Sequence, residues 1–350
     1  MTNARFNFRP ALLIAALLLM AAHDATAQSR VGTTAAPFLT LGTGARGQAL
    51  GHAYTALARG PDALFWNPGA ASRRLSSGQL GGAYFTHHDW IAGISYDGAG
   101  VVVPAFGSSV LGLSMAVVNY GDMEVRTVAS PEGTGATFSA ADLSLGLTYS
   151  APLTDAFHFG STVKYVHQRI RDMRASTIAF DFGFLLVTEY FRGLQVAASI
   201  SNFGGKMQMD GINSERNIDI DENNTGSSES IPARLRMDRW DLPLSFRFGV
   251  AMPVVQTGPV SVMAVADAHQ TNDNNLNSDV GAELRYQTRT VTFDARAGYR
   301  DGFLDNVDSH LSLGTGIEVQ VAQVRFGFDF AYVPHDLLDD VRMFDFRIHF

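Results

Sequence analysis

One stretch near the C-terminus decides the fold: Val324-Arg325-Phe326-Gly327-Phe328-Asp329-Phe330-Ala331-Tyr332. Its even-numbered residues are apolar, whereas its odd-numbered residues are charged or small. Because successive side chains of a β-strand point to opposite faces, this period of two predicts a strand with one apolar and one polar face. The same alternation returns at 291–300 and at 343–350, so several strands of this kind end the chain.

Similar segments extend back to about residue 78, and fourteen are found in total. They run to about ten residues, the length that a tilted strand needs to cross a bilayer, whereas strands of soluble proteins average about five or six. Merging or splitting one pair would give twelve or sixteen. The predicted strands cover 78–87, 90–103, 109–119, 140–150, 156–170, 176–189, 193–203, 241–252, 258–269, 279–288, 290–300, 310–321, 323–333 and 341–350.

The connections between these segments alternate in length. The even-numbered connections are tight, and the odd-numbered ones include the longer stretches 121–139, 204–240, 270–278, 301–309 and 334–340, although those at His88 and 171–175 are short. Outer-membrane barrels have short turns on the periplasmic side and longer loops outside. The sequence therefore predicts an all-β fold, a transmembrane outer-membrane β-barrel of about fourteen antiparallel strands, with a secreted all-β protein as the alternative.

The N-terminus has the features of a signal peptide over residues 1–27. Arg5 and Arg9 precede an apolar run at 11–22, and Ala25-Thr26-Ala27 supplies the small residues of a cleavage site. At about 1.5 Å per residue the run covers about 18 Å, short of the roughly 30 Å of a bilayer core. We therefore expect export through a cleaved signal peptide and, given the barrel pattern, location in the cell outer membrane.

The composition excludes several classes of protein. The 350 residues include no cysteine, which excludes disulfides, Cys-ligated zinc, a thiol nucleophile and lipoprotein attachment. The formal charge of −8 argues against a nucleic-acid partner, which requires a basic surface. No G-x-S-x-G, H-E-x-x-H or Walker-type motif occurs, so we expect neither enzyme activity nor a cofactor.

Two polar clusters contain residue types that can ligate a metal. Adjacent histidines on a strand point to opposite faces, so Thr86-His87-His88-Asp89 is interpreted as a polar turn without a metal. Asp273-Asn274-Asn275, followed by Asn277 and Asp279, offers oxygen ligands but lacks the glycine and terminal Glu of an EF-hand loop. We interpret it as a solvated loop, with adventitious calcium binding as the alternative.

The last strand ends the chain on an aromatic residue. Phe344, Phe346, Ile348 and Phe350 form its apolar face. This pattern resembles the C-terminal signal that the barrel-assembly machinery reads in outer-membrane barrels. The alternative is a chain that happens to end in an apolar strand, which is disfavoured because an exposed aromatic edge in a soluble protein promotes aggregation.

Residues 28–77 do not follow the barrel pattern and are rich in glycine and turn-forming dipeptides. Their motifs are Gly32-Thr33-Thr34-Ala35-Ala36-Pro37-Phe38-Leu39, Gly42-Thr43-Gly44-Ala45-Arg46, Gly51-His52-Ala53-Tyr54-Thr55-Ala56-Leu57-Ala58 and Trp66-Asn67-Pro68-Gly69. Together they resemble the start of PorV/PorQ family proteins, which belong to the wider FadL-like group of fourteen-stranded barrels. Shorter pieces at 164–166, 281–284, 296–300 and 329–332 extend the resemblance over nearly the whole mature chain.

The resemblance implies that residues 28–77 form a hatch inside a barrel made by residues 78–350. We expect Asn67-Pro68-Gly69 to make the turn that seats this hatch, because Pro68 fixes one φ at about −65° and Gly69 can take a φ above zero at no steric cost. Two departures are Ala70, where the motif commonly has a second glycine, and the long polar connection 204–240, which leaves the function open. The hatch motif residues are Gly42, Gly44, Arg46, Gly51, Asp62, Trp66, Asn67, Pro68 and Gly69.

If the aromatic face meets lipid, the alternate positions point into the lumen with nearly balanced charge. They form either a lined water channel or a cross-strand salt-bridge lattice that packs against the hatch. The lattice is favoured because mixed signs give no ion selectivity, and Arg46, Arg59 and Asp62 of the hatch are its candidate partners. The lumen positions are Lys164, Asp181, Glu283, Arg285, Asp294, Arg296, Arg300, Glu318, Arg325, Asp329, Asp345 and Arg347.

Two functions follow from the resemblance. PorV-like proteins are non-enzymatic parts of the type IX secretion pathway, which receive exported proteins bearing C-terminal signal domains and pass them to surface attachment. The alternative is a FadL-like outer-membrane transporter that admits a hydrophobic small molecule through a pocket near the hatch. The expected partners are outer-membrane lipid, the barrel-assembly machinery and either secreted proteins with other secretion components or a hydrophobic ligand.

Overall fold

The structure is a computed structural model that describes residues 31–73, 81–218, 231–304, 309–335 and 339–350. The proposed signal peptide, 1–27, and the ends of the proposed hatch, 28–30 and 74–77, lie outside these ranges. The strands are β1 (Gly82–Asp89), β2 (Ser95–Pro104), β3 (Val110–Glu124), β4 (Thr137–Pro152), β5 (Phe157–Ile170), β6 (Met173–Val187), β7 (Gln195–Gly204), β8 (Asp210–Gly211), β9 (Glu215–Ile218), β10 (Ile231–Arg234), β11 (Ser245–Thr257), β12 (Val260–Thr271), β13 (Asn277–Gln287), β14 (Val291–Tyr299), β15 (Leu311–Val321), β16 (Val324–Val333) and β17 (Val341–His349).

Fourteen of these strands form one closed antiparallel barrel. Strands β1 to β7 and β11 to β17 each pair with their neighbours in the chain, and β7 pairs with β11. The ring closes where β1 pairs with β17, with Phe85 opposite Phe346. The predicted all-β fold and its count of fourteen strands are therefore confirmed, and twelve or sixteen are excluded.

The period of two separates the two faces of the barrel wall. In the paired strands β16 and β17, Phe328 lies opposite Phe346, and both are 45% exposed on the outer face. Between them along the strands, Asp329 and Arg347 are buried and face the lumen. An apolar outer face with a polar interior is the arrangement that a bilayer selects in a closed barrel.

The polar cluster at residues 86–89 was wrongly interpreted as a turn. Strand β1 runs through it to Asp89, and the first connection lies at 90–94, where Ala92 has a φ of 56°. His88 is fully buried inside the barrel, where its Nε2 lies 2.9 Å from the Thr86 Oγ1. A strand that faces a polar lumen carries polar residues at alternate positions. In a short stretch of sequence such a strand can be mistaken for a polar turn, as happened here.

The connection after β7 is more structured than predicted. It contains β8, which pairs with β6, and the hairpin of β9 and β10, in which Ile218 lies opposite Ile231. These strands have two to four residues, too few for an alternating pattern to be detected.

The N-terminal segment, residues 31–73 as described, has two helical turns, α1 (Ala45–Ala49) and α2 (Ala63–Trp66). Single 3₁₀ turns lie at Pro37–Thr40, Gly60–Asp62 and Pro68–Ser72. The last of these contacts β3 to β6, whereas α1 contacts β14 to β17. Because these strands lie on different sides of the ring, the segment lies within it. Within the described ranges, no helix has the length and apolar character needed to cross a membrane.

Candidate functional site

The N-terminal segment meets the barrel wall through a buried asparagine. The side-chain oxygen of Asn67 accepts a hydrogen bond from the Gly69 N–H at 3.1 Å, capping the 3₁₀ turn that follows. The Asn67 Nδ2 donates to the carbonyl of Phe184 in β6 at 3.0 Å and to that of Thr55 at 3.1 Å. One amide therefore joins two parts of the segment to the wall, and a buried amide with all these partners satisfied is stabilising.

Gly69 is required at this point because of close packing. Gly69 does not use the positive φ that glycine allows, since it is absent from the described glycines that have one. A Cβ on Gly69 would lie 2.5 Å from the carbonyl oxygen of Gly183 and 2.8 Å from the Cα of Phe184. Both atoms belong to the backbone of β6, which is fixed by its ladder and cannot withdraw cheaply.

On the opposite side of the barrel the segment is held by charge. Arg46 on α1 is 2% exposed and grips Glu283 of β13 with two hydrogen bonds, Nε to Oε2 and Nη2 to Oε1, each of 2.9 Å. Such bidentate pairs fix orientation as well as distance. Arg347 of β17 lies 3.3 Å from Asp62, and Arg59 lies 3.7 Å from Glu318 of β15. All three charged residues expected of the segment contact wall charges of opposite sign.

The wall charges form a continuous network. Arg296 of β14 is its centre, with bonds of 2.7 Å to Glu283, 2.7 Å to Asp294 and 2.6 Å to Asp329. The structure places eight of the predicted lumen residues in this network: Glu283, Arg285, Asp294, Arg296, Glu318, Arg325, Asp329 and Arg347. Asp345 makes no ion pair with the described residues, and its Oδ2 accepts the Arg46 backbone N–H at 3.4 Å. Lys164 and Asp181 pair with each other at 2.9 Å between β5 and β6, away from the network, and Arg300 lies 3.8 Å from Asp301 at the rim.

The remaining motif residues shape the segment itself. Gly42, Gly44 and Gly51 have φ values of 67°, 97° and 65°, which side chains rarely tolerate. The Trp66 Nε1 donates to the carbonyl of Thr43 at 2.7 Å, joining the end of α2 to the residues that precede α1. Pro68 starts the 3₁₀ turn.

A wall carboxylate that sequence reasoning missed also holds the segment. The Oδ2 of Asp267 in β12 accepts the Thr55 N–H at 3.0 Å. Asp267 lies on the lumen-facing side of a strand with alternating polarity, and this position could have identified it from the sequence.

Above the segment, on the side of the long connections, lies a cavity of about 550 Å³. The loop at 273–275, interpreted from sequence as solvated, lines this cavity together with residues from β5, β7, β11 and β12. The segment contributes Pro37, Leu39, His52, Phe65 and Trp66. The resemblance implied a pocket near the hatch, but the sequence could not name its lining, because these residues are distant in the chain and meet only when the barrel closes.

The cavity is charged and aromatic on one wall. The Arg247 guanidinium of β11 lies over the Trp66 ring, 5.2 Å from its centroid, a cation–π arrangement. The Nδ1 of His269 lies 3.0 Å from the Asp279 Oδ2. Burial lowers the pKa of His52 in the segment to about 3, with Arg300 and Arg247 acting in the same direction and Asp279 opposing. His52 is therefore neutral at pH 7.

The C-terminal residues face outward. Phe344 and Phe346 are exposed on the outer face, and Phe350 follows β17. The Phe350 N–H donates to the carbonyl of Gly81 at 3.1 Å, and the Gly81 N–H donates back at 3.3 Å. The terminal residue thus takes part in the seam that closes the barrel. Its role as an assembly signal stays a prediction.

The closed barrel of fourteen strands has the fold of FadL-type outer-membrane barrels. Similar solved structures include the Pseudomonas putida toluene transporter TodX, at 12% identity and a TM-score of 0.54 over 88% of this chain and 97% of that one. The monoaromatic hydrocarbon channel CymD aligns at 10% identity and a TM-score of 0.57 over 88% and 96%. A Pseudomonas aeruginosa FadL homologue aligns at 13% identity and a TM-score of 0.53 over 88% and 98%. No family model and no curated protein matches the sequence.

Proposed function

We propose that this protein is an outer-membrane channel that admits small, largely apolar organic molecules. The observation that carries the proposal is the cavity of about 550 Å³ between the N-terminal segment and the wall of a FadL-type barrel. Its volume falls in the range of small-molecule sites. The similar structures TodX and CymD are channels for toluene and monoaromatic hydrocarbons, which supports a hydrophobic cargo. No enzymatic role is proposed.

In this proposal residues 28–77 act as a hatch. The segment contacts strands on both sides of the ring and lies against a network of paired charges, so water and ions have no straight route through the lumen. Cargo would pass when part of the segment moves. The same charges that hold the hatch would keep the closed state impermeable to ions, because the network has acids and bases in nearly equal number.

The proposal includes a location and a route to it. The apolar outer face supports insertion in the outer membrane, and residues 1–27 have the composition of a cleaved signal peptide. The barrel-assembly machinery would insert the chain after reading Phe344, Phe346, Ile348 and Phe350.

Uptake of labelled toluene tests the channel directly. A Gram-negative host with an intact lipopolysaccharide leaflet resists apolar solutes, and we expect expression of the protein to raise the initial rate of toluene uptake. Expression of another barrel of similar size controls for membrane damage. Uptake equal to that of the control at matched levels of folded protein would contradict the proposal.

A second candidate is the protein-handling role expected from PorV/PorQ resemblance. One observation favours it: the connection between β7 and β11 exposes apolar side chains, among them Ile212, Leu235, Met237 and Trp240. Such residues suit a protein partner. The similar channels favour the first proposal. Purification from outer membranes separates the two, since co-purifying secreted proteins support the second and bound small molecules support the first.

A further inference from the structure

The cavity wall contains one cation that differs from the other inward-facing cations of the described barrel strands. The other inward-facing Arg and Lys residues on or next to the described barrel strands each have a carboxylate oxygen within 3.8 Å; they are Lys164, Arg285, Arg296, Arg300, Arg325 and Arg347. Arg247 has no such ion pair within the described part of the chain, and its Nη1 is buried without a hydrogen-bond partner. The carboxylates of Asp267 and Asp279 act on Arg247 electrostatically, but neither lies within ion-pair distance of it. A buried N–H without an acceptor is unfavourable, so the guanidinium can receive an anion from the cavity.

The surroundings of Arg247 define the shape of that ligand. Its guanidinium lies over Trp66, and Phe65, Pro37 and Leu39 line the same cavity. A flat apolar ring fits among these side chains. Most of the remaining lining residues are polar, including Ser201, Ser245, Thr271 and Asn274. A long alkyl chain would strip water from these groups without replacing their hydrogen bonds, which is unfavourable.

The acidic groups on the lining are already engaged. Asp273 accepts a hydrogen bond from the Thr34 hydroxyl at 2.7 Å, and Asp301 accepts one from Asn277 and lies 3.8 Å from Arg300. Lys164 is paired with Asp181. Arg247 is therefore the group left to receive an anion.

We propose that this cavity binds a small aromatic carboxylate, with the carboxylate on Arg247 and the ring against Trp66 and Phe65. The inference rests on the proposed channel function and extends its cargo from neutral hydrocarbons to ring-bearing anions. The planar guanidinium of Arg247 suits a carboxylate ligand, because a guanidinium can donate two parallel N–H hydrogen bonds to one carboxylate.

Isothermal titration of the purified barrel with benzoate and benzamide tests the assignment. The two probes share ring and size, and only benzoate is charged. We expect the wild type to bind benzoate at least about tenfold more tightly, and Arg247→Gln to lose about 10- to 100-fold in benzoate affinity with benzamide unchanged. Arg247→Lys should keep part of the affinity. Arg342→Gln, an exposed residue at the start of β17, is the control and should bind as the wild type does.

Three outcomes would overturn the inference: equal affinity for benzoate and benzamide, unchanged benzoate binding by Arg247→Gln, or preference for laurate over benzoate. If Arg247→Gln fails to fold on gels, the wild-type comparison of the two probes and Arg247→Lys still decide. Toluene uptake without selective benzoate binding would remove this inference and leave the channel proposal standing. If neither toluene uptake nor selective benzoate binding is found, the proposed channel function is wrong as well.

Discussion

Replacing Gly69 with valine should unseat the N-terminal segment while leaving the barrel closed. A Cβ at this position would lie 2.5 Å from the Gly183 oxygen and 2.8 Å from the Phe184 Cα, about 1 Å inside normal contact. The clash is with strand backbone, so the segment must move away from the wall. Overpacking of this kind costs about 1–3 kcal/mol, which raises the unseated population by about 5- to 150-fold.

The assay is ion conductance in planar bilayers, with heat-modifiable mobility on gels as the measure of barrel folding. The wild type should be closed, Gly69→Val should be folded and leaky, and Gly69→Ala should lie between them. Gly205→Val is the matched control, because a Cβ there meets only the flexible Thr177 hydroxyl, at 2.8 Å. A wild type that conducts as well as Gly69→Val would refute the hatch and revive the water-filled pore.

Three further predictions concern charge, pH and assembly. Glu283→Gln should lower the free energy of unfolding by about 3–5 kcal/mol, because it leaves the buried charges of Arg46 and Arg296 without one of their counter-ions. Urea unfolding measures this change, and an unchanged midpoint would contradict the network. The buried site holds His52 neutral, so above its ordinary pKa of 6.5 the residue stabilises the N-terminal segment in its place, and this contribution is lost as the pH falls from 6.5 towards about 3. Conductance should therefore rise on acidification, and it should rise less in His52→Gln. Identical pH profiles of the two proteins would contradict this role of His52. Deleting Phe350 should slow appearance of the heat-modifiable folded form in pulse-chase experiments, because Phe350 exchanges hydrogen bonds with Gly81 at the seam, and a normal rate would show that the terminal residue is not read.

The barrel could be predicted from sequence because its defining property is local. Alternation such as Val324 to Tyr332 repeats along every long strand, and the fourteen predicted segments correspond to the fourteen strands of the ring. The lumen side chains follow from the same period of two, which is why eight of them, Arg296 included, form one network. Strands β8 to β10 were missed, since they are too short to show any period.

The candidate site was harder to predict from the sequence, because it depends on contacts between residues that are distant in the chain. Arg247 and Trp66 are far apart in the chain, and nothing local marks Arg247 as different from the paired arginines. Gly69 is a second example of a residue whose role depends on distant contacts. The sequence marked it as a turn glycine, but a side chain is excluded there by the close approach of β6 and not by the φ of Gly69. Sequence resemblance pointed first to a protein-handling role, whereas the channel that we propose depends on a cavity that forms only when the barrel closes.

The most direct test of the channel fills the cavity. Ser245 of β11 lines it, and the next residue, Phe246, faces outward with 49% exposure. Ser245→Trp should abolish the rise in toluene uptake that the wild type gives, whereas Phe246→Trp adds similar bulk on the opposite face of the same strand and should transport normally. If both variants fold and both raise uptake as the wild type does, the cargo does not pass through this cavity, and the proposed function is wrong.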